Sequence, residues 1–480
     1  MNKKKGIIFL LGIFIVTSGF GCKTQDATVT AGLKPITLTY WRVWDDTSTF
    51  SEQLKKYSEM HSNIKIEYHK FRYEEYENEL LNAFAEDRGP DIFSIPSTWI
   101  KKYQNKIEPM PDKTSLVYQT TQGSIKKELV NVVKTSDSIK PKDIKTAFVD
   151  TVYDDVVIKV PQAGNKGLKE QVYGLPLFID TLALYYNKDL FNNAGIAEPP
   201  IYWDRTFQQY VKKLTKQDTK GQIIQSGVAL GGAVNVQRSF DILSTLMMQN
   251  GADMMSASGQ PLFNQVPPDK GIKYNPGLEA LRFYTDFANP SKEVYSWNKE
   301  MDDSLKLFIN NQLAMMFGYS YHLPTIKAEA PKLNFAISKL PQIENGGQSI
   351  NYANYWVETV SKKIMTNPEN LKKGGDYPRL KRDAAWDFVQ FITKEDQAKV
   401  YIAKSKRPTA LRSLVEQQTQ IPELGIFASQ VLTAKSWYRG KDALAAETIF
   451  NQMIDESVAN QEDIVGTMDR AVQKVQQTVN

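Results

Sequence analysis

Tryptophans and tyrosines recur beside small polar side chains at five places in the chain: Trp41 and Trp44 with Asp45, Ser97 with Trp99, Tyr319 with Tyr321 around Ser320, Asn354 with Trp356 around Tyr355, and Trp437 with Tyr438 before Arg439. A flat ring covers an apolar C–H face, while Asp, Asn, Ser and Arg satisfy a rim of hydroxyls. The combination suits a polyhydroxylated ring such as a pyranose better than an inorganic ion. The chemistry on offer is therefore non-covalent recognition. Any one tryptophan serves a core more often than a ligand, and Trp203 and Trp386, set in helical patterns, are assigned to the core.

Covalent chemistry is poorly supplied. The sequence has no Gly-x4-Gly-Lys-Ser/Thr phosphate loop, no Gly-x-Gly-x-x-Gly turn, no His-Glu-x-x-His and no Gly-x-Ser-x-Gly. The only cysteine, Cys22, forbids an intramolecular disulfide, and with His61, His69 and His322 it shows no zinc-ligand spacing. Carboxylates are plentiful, so a glycosidase pair facing each other across ~5–10 Å stays open by counting alone. Asp45, Asp46 and Asp180 fall near strand ends or turns, where an acid can catalyse, accept ligand hydroxyls or cap a helix. The reading expects no catalytic residue, no cofactor and no metal.

These residues need elements to hold them. Strand-like alternation at 36–41 is followed by a helical pattern at 48–60, a strand at 64–68, a helix carrying Tyr76, Leu80, Leu81 and Phe84, and an apolar run at 91–95. Strand, helix, strand, helix, strand predicts a mainly parallel sheet whose ligand crevice lies beyond the carboxyl ends, at 41–46 and 96–99. Residues 111–172 read as loops inserted into this first lobe. A strand at 182–186, helices with Phe207, Val211 and Leu214 and with Phe240, Leu243 and Met247, and strands at 313–317 and 335–340 predict a second α/β lobe. Helices are expected at 385–392 and toward the C-terminus, and 480 residues suit more than one domain.

The N-terminus carries a different message. Lys3 to Lys5 precede the apolar run 6–20 and then Gly21-Cys22, the layout of a secretory signal too short to span a bilayer comfortably. Residues 1–21 are expected to be removed. Subtracting Lys3, Lys4 and Lys5 from the net +5 leaves +2, too balanced for nucleic-acid binding. Cys22 resembles the lipidated cysteine of bacterial lipoproteins, although Gly19 stands where that family prefers leucine. Residues 22–35 are expected to form the lipidated cysteine and a flexible tether.

Several segments together resemble the extracellular sugar-type solute-binding proteins of bacterial ABC importers. They are Gly89-Pro90-Asp91-Ile92, Tyr173-Gly174-Leu175-Pro176, Asp180-Thr181-Leu182 through Phe191 with Ala194-Gly195-Ile196, Ala314-Met315-Met316-Phe317-Gly318 and Asn351-Tyr352-Ala353-Asn354. The resemblance implies a two-lobed α/β fold of the type II periplasmic-binding-protein kind, each lobe a mainly parallel sheet flanked by helices, joined by hinge strands. It implies lobes of residues 36–179 with 346–408 and 180–345 with 409–480.

Carried over by position, the resemblance makes Trp41, Trp44, Asp45, Ser97 and Trp99 first-lobe contacts and Asp180 an acidic hinge residue reaching ligand hydroxyls. It makes Tyr319 and Tyr321 an aromatic platform, Trp437 and Tyr438 a stacking pair from the second lobe, and Asn354, Trp356 and Arg407 hinge contacts. The implied protein is a monomeric, membrane-tethered receptor outside the cytoplasm that captures a sugar or oligosaccharide and hands it to the permease subunits of an importer. Two alternatives stay open: a lipid-anchored glycoside hydrolase using Asp45 or Asp180 with a second acid, and an adhesin gripping surface polysaccharide.

Overall fold

The computed structural model describes residues 27–124, 127–162, 164, 167–268, 274–344 and 348–479; the expected leader, 1–21, and Cys22 lie outside them. β1 (Ile36–Arg42) alternates inward and outward side chains, which puts Ile36, Leu38, Tyr40 and Arg42 inside. α2 (Thr47–Met60) returns over the sheet with Phe50 and Tyr57 buried, and β2 (Ile64–Lys70) pairs parallel to β1. α3 (Tyr73–Ala85) opens with the Glu75 carboxylate accepting from the Arg72 amide and guanidinium, and buries Tyr76, Leu80 and Phe84. β3 (Ile92–Pro96) then lies parallel to β1 on its other side. The sheet is completed by Trp356–Val360, antiparallel to β3, and by Leu175–Pro176.

The inserted region differs from expectation. Residues 111–172 are not mainly loop: β4 (Lys113–Gln122) and β5 (Glu128–Asp137) form one antiparallel hairpin, and Val157–Pro161 with Leu168–Val172 forms another. Short helices Pro141–Ala147 and Asp150–Val156 lie between them. Thr and Ser replace large apolar residues along much of these strands, which masks their period-two pattern; Leu116 nonetheless joins the core.

In the second lobe Ala183–Asn187 runs antiparallel to both neighbours, Met315–Gly318 and Phe335–Lys339. The mainly parallel character expected of both sheets thus belongs to the first. The physical reason is an insertion: Met315–Gly318, helix His322–Glu329 and Phe335–Lys339 make a crossover unit, and the earlier strand fills the gap between its two strands in the opposite sense. Helix Ser239–Gln249 is buried on every side and forms the centre of this lobe.

Two separate apolar cores result. The first gathers side chains from 36–179 and 353–415 with Val431 and Ala434, and the second gathers 182–340 with Tyr352, Phe427 and 437–475. The last transfer lies later than the expected crossing near 408, because helix Arg412–Thr419 keeps Leu414 and Val415 in the first core. Where the chain passes between cores, Asp180–Thr181, Asn351–Asn354 and Ala434–Lys435 pair as one small three-stranded sheet. Part of the segment expected as a flexible tether, 22–35, is helical instead: α1 (Ala27–Gly32) folds back onto the body with Val29 buried. No helix among the described residues is long and apolar enough to cross a membrane.

Candidate ligand cleft

The carboxyl ends of β1 and β3 carry an aromatic wall. Trp356, the first residue of its strand and paired with Pro96 at the end of β3, is its hub. Its ring lies 6.0 Å from Trp44, 6.3 Å from Tyr73, 5.9 Å from Tyr76 and 6.4 Å from Trp99. Trp44 and Tyr73 stack at 5.4 Å with planes 20° apart and remain 44% and 48% exposed, an arrangement that leaves ring faces free for a partner. Trp41 packs beside this wall on Phe71, and Trp99 stacks on Tyr103 with the Lys102 ammonium over its ring.

The second lobe supplies the opposite side. Tyr321 is 42% exposed and stacks between Tyr319 at 5.6 Å and His322 at 4.3 Å. Tyr319 is buried beneath it and donates its hydroxyl to Asp241 at 2.6 Å, while Arg238 grips the same carboxylate at 2.6 Å. Arg238 holds a left-handed backbone (φ 62°), which a residue with a Cβ adopts only when its surroundings enforce it.

The two sides lie within electrostatic reach of each other. The charges of Arg238 and Glu447, both second-lobe residues, act on the Tyr73 phenol of the first lobe, and Tyr73 in turn acts on Tyr321. Desolvation is the first cause that raises both phenols above their usual range, although each ring keeps a solvent-facing surface. Desolvation likewise pushes the Glu447 carboxyl up, with Arg238 pulling the other way.

At the base of the gap the lobes touch through polar groups. Asp155 of the first lobe accepts from the Ser436 hydroxyl at 2.6 Å and from the Tyr355 hydroxyl at 2.7 Å, and Arg439 closes to 3.1 Å. Thr151 adds a hydroxyl contact to Ser436 at 3.0 Å.

The candidates from sequence divide accordingly. Trp44 and Tyr321 keep exposed rings and Trp99 a half-buried one, whereas Trp356 is buried at 6% and is the packing hub of the first-lobe wall. Asp45 is instead an interior partner: its carboxylate meets Arg42 at 3.1 Å and the Tyr401 hydroxyl at 3.0 Å, with Arg407 at 3.6 Å. Arg407 itself lies over the Phe178 ring. Asp180 is buried and fully occupied, accepting from the Ser320 hydroxyl at 2.6 Å, the Ser320 amide at 3.0 Å and the Thr181 amide at 2.9 Å. Burial raises its pKa to about 6 against the pull of these bonds. Its work is to pin the loop that carries Tyr321 to the hinge.

Ser97 is buried, and its amide donates to the Tyr355 carbonyl. Asn354 pairs with Asp180 inside the hinge sheet. Trp437 and Tyr438 are corrections. Trp437 is 3% exposed, donates its indole N–H to Ser244 at 3.0 Å and packs among Phe240, Phe263 and Phe450; Tyr438 is buried against Thr478. Both are core residues, because the burial of the helix beneath them draws the whole aromatic cluster inward. Tyr319 is a support for Tyr321 and not itself a platform.

Sequence reasoning missed Tyr73, Arg238 and Glu447. Tyr73 follows β2, a strand end the crevice argument could have covered; Arg238 sits in the turn before helix Ser239–Gln249 and Glu447 within a helix, neither directly beside an aromatic residue. A separate cavity of about 800 Å³ lies in the first lobe between the β4–β5 hairpin and helix Tyr377–Thr393, and shares no lining residue with the gap.

Residues 44–399 match the family model described as bacterial extracellular solute-binding protein. The chain belongs to this family. Known structures agree with it in fold: a cyclo/maltodextrin-binding protein complexed with maltotetraose superposes with a TM-score of 0.65 at 15% identity, over 93% of this chain and 98% of that one. A cyclic α-maltosyl-1,6-maltose binding protein from Arthrobacter globiformis gives 0.63 at 17%, over 93% and 99%. Among curated relatives, a putative binding protein of Brucella abortus is 26% identical over 270 residues, 55% of this chain and 54% of its own. The multiple sugar-binding protein of Streptococcus mutans is 22% identical over 54% of this chain and 56% of its own. The chain spans about half the length of these curated relatives.

Proposed function

We propose that this protein captures a carbohydrate between its two lobes and delivers it to the permease subunits of an ABC importer, without catalysing a reaction. One observation carries the reading: exposed aromatic planes on one lobe (Trp44, Tyr73) lie within electrostatic reach of an aromatic plane and charged hydrogen-bonding groups on the other (Tyr321, Arg238, Glu447). The planes suit the faces of pyranose rings and the charged groups suit their hydroxyls. Relatives named for multiple sugars and for maltodextrin support the same class of ligand.

The lobes that close are residues 36–179 with 346–419 and 180–345 with 420–480, turning about the three-stranded hinge sheet. Ligand contacts from both sides favour the closed state by differential affinity. The hydrolase alternative loses support because the acids it required, Asp45 and Asp180, are committed to interior partners. Cys22 after the leader supports a lipid anchor outside the cytoplasm, with the protein acting as a monomer.

A thermal-shift series with mono-, di- and oligosaccharides tests the reading. A true ligand at a hundredfold its Kd adds about 2.7 kcal/mol of apparent stability. The same ligand should shrink the radius of gyration in solution scattering and be recovered uncleaved. Stabilisation without any change in outline would favour the adhesin, and released sugar would favour the hydrolase.

A further inference from the structure

The segment that leads from Cys22 into the body is fastened to one particular face. In α1, Val29 is buried, and the carbonyls of Gly32 and Lys34 both accept from the Asn63 amide at 3.0 Å. Gly32 passes so close to the hairpin that a Cβ there would lie 2.5 Å from the Val117 side chain. Past Lys34, the Pro35 carbonyl accepts from Tyr377, whose hydroxyl also takes the Lys373 ammonium. Only residues 23–26 separate Cys22 from α1, a reach of at most about 18 Å. That distance is little more than the headgroup layer of a bilayer with a shell of water.

The surface beside α1 has the composition of a lipid-facing one. Hairpin register pairs Val117 with Val133 and Thr121 with Leu129, so Val133 and Leu129 share the face on which α1 sits. Val133 is exposed and Leu129 is 70% exposed. At the neighbouring corner Lys34 reaches the Lys373 carbonyl at 3.5 Å, and Leu371, 55% exposed, lies in the same short helix as Lys372. Glu369 engages Lys372, leaving Lys34 and Lys373 as the cations of this corner. Exposed leucines interleaved with lysines, next to a short membrane tether, match an anionic lipid surface.

We propose that this face of the first lobe, α1 with the Val133–Leu129 side of the hairpin and the Lys34–Lys373 corner, rests on an anionic bilayer. The consequence is orientation. α1 enters β1 at its amino end, whereas the aromatic wall lies at its carboxyl end, so the anchored protein stands with its cleft turned away from the lipid. Delivery to a permease then requires the body to lift or tip off this rest. The inference relies on Cys22 as the point of attachment.

Its test can be kept separate from natural lipidation. The mature chain, beginning at Cys22, is coupled through its single thiol to maleimide-lipid vesicles containing phosphatidylglycerol, and side-chain accessibility is read by hydroxyl-radical footprinting. Leu129 and Leu371 should be labelled about threefold more slowly than in uncoupled protein, while the exposed second-lobe residues Ile201 and Leu444 should not change. The Lys34→Glu/Lys373→Glu variant, or vesicles of phosphatidylcholine alone, should restore labelling of Leu129. Equal labelling with and without vesicles, equal protection of Ile201, or protection indifferent to both controls would overturn the proposal. Incorporation of palmitate into Cys22 in cells is measured independently, and its absence would remove the anchor reading without touching the geometry.

Discussion

The wall around Trp44 and the cluster around Trp437 are built from the same residue types and do opposite work. Trp44 stacks on Tyr73 at a strand end, with a ring face left to solvent. Trp437 stacks among Phe240, Phe263 and Phe450, its N–H satisfied by Ser244 and no face left over. An aromatic side chain becomes a platform when the backbone delivers it to the rim of a sheet, and becomes core when a fully buried helix lies beneath it. Composition near the ring does not distinguish the two.

Mutation should separate the clusters sharply. Trp437→Ala is expected to cost about 3–5 kcal/mol of unliganded stability, from the cavity and the orphaned Ser244 hydroxyl, read as a lowered urea midpoint. A midpoint shift below about 1 kcal/mol would break the comparison by returning Trp437 to the surface.

The supports of Tyr321 should betray themselves by pH. Asp180 is raised to about 6 and His322, whose Nδ1 accepts the Tyr319 amide, is lowered to about 4, both chiefly by burial. For Asp180 the folded state holds a proton that the unfolded state has released, so its contribution falls as pH rises from about 4 to 6. For His322 the unfolded state binds the proton first, so its contribution falls as pH drops from about 6.5 to 4. The two limbs oppose each other. Asp180→Asn should uncover the histidine limb, steepening the loss of stability between pH 6.5 and 4 by on the order of 3 kcal/mol relative to wild type. Parallel wild-type and variant curves would show that Asp180 is ordinarily ionised.

On the platform side, Trp44→Ala should leave the unliganded melting curve within about 0.5 kcal/mol of wild type, yet weaken the ligand found in the thermal-shift series by roughly tenfold in calorimetry. Tyr321→Phe keeps the ring and removes only its hydroxyl, so affinity should fall by about 0.5–1.5 kcal/mol if that hydroxyl meets the sugar and stay unchanged if the plane alone matters. If Trp44→Ala destabilised the free protein as Trp437→Ala does, the distinction between the two regions would collapse.

The βαβαβ opening of the first lobe was legible because each element carries its own period: alternation in β1, and three- and four-residue spacing in α3. Trp44, Trp99 and Trp356 could be singled out because strand ends are visible in sequence. Tyr73 follows the end of β2 and could have been covered by the strand-end argument, whereas nothing local marks Arg238 and Glu447, whose reach to Tyr73 is a matter of the lobe opposite. The β4–β5 hairpin escaped because its Thr- and Ser-rich strands lack apolar contrast, and α1 escaped because only its docking on Val117 and Asn63 makes a polar, small-residue segment hold its shape.

The sequence by itself determined the repertoire: strands and helices from their periods, and aromatic residues set beside hydroxyl-seeking ones. Only the tertiary structure decided which rings meet water and which meet each other, and which carboxylates are free. Burial and partnership depend on contacts between segments hundreds of residues apart, such as Tyr401 on Asp45 or Ser320 on Asp180, and no local pattern encodes those distances.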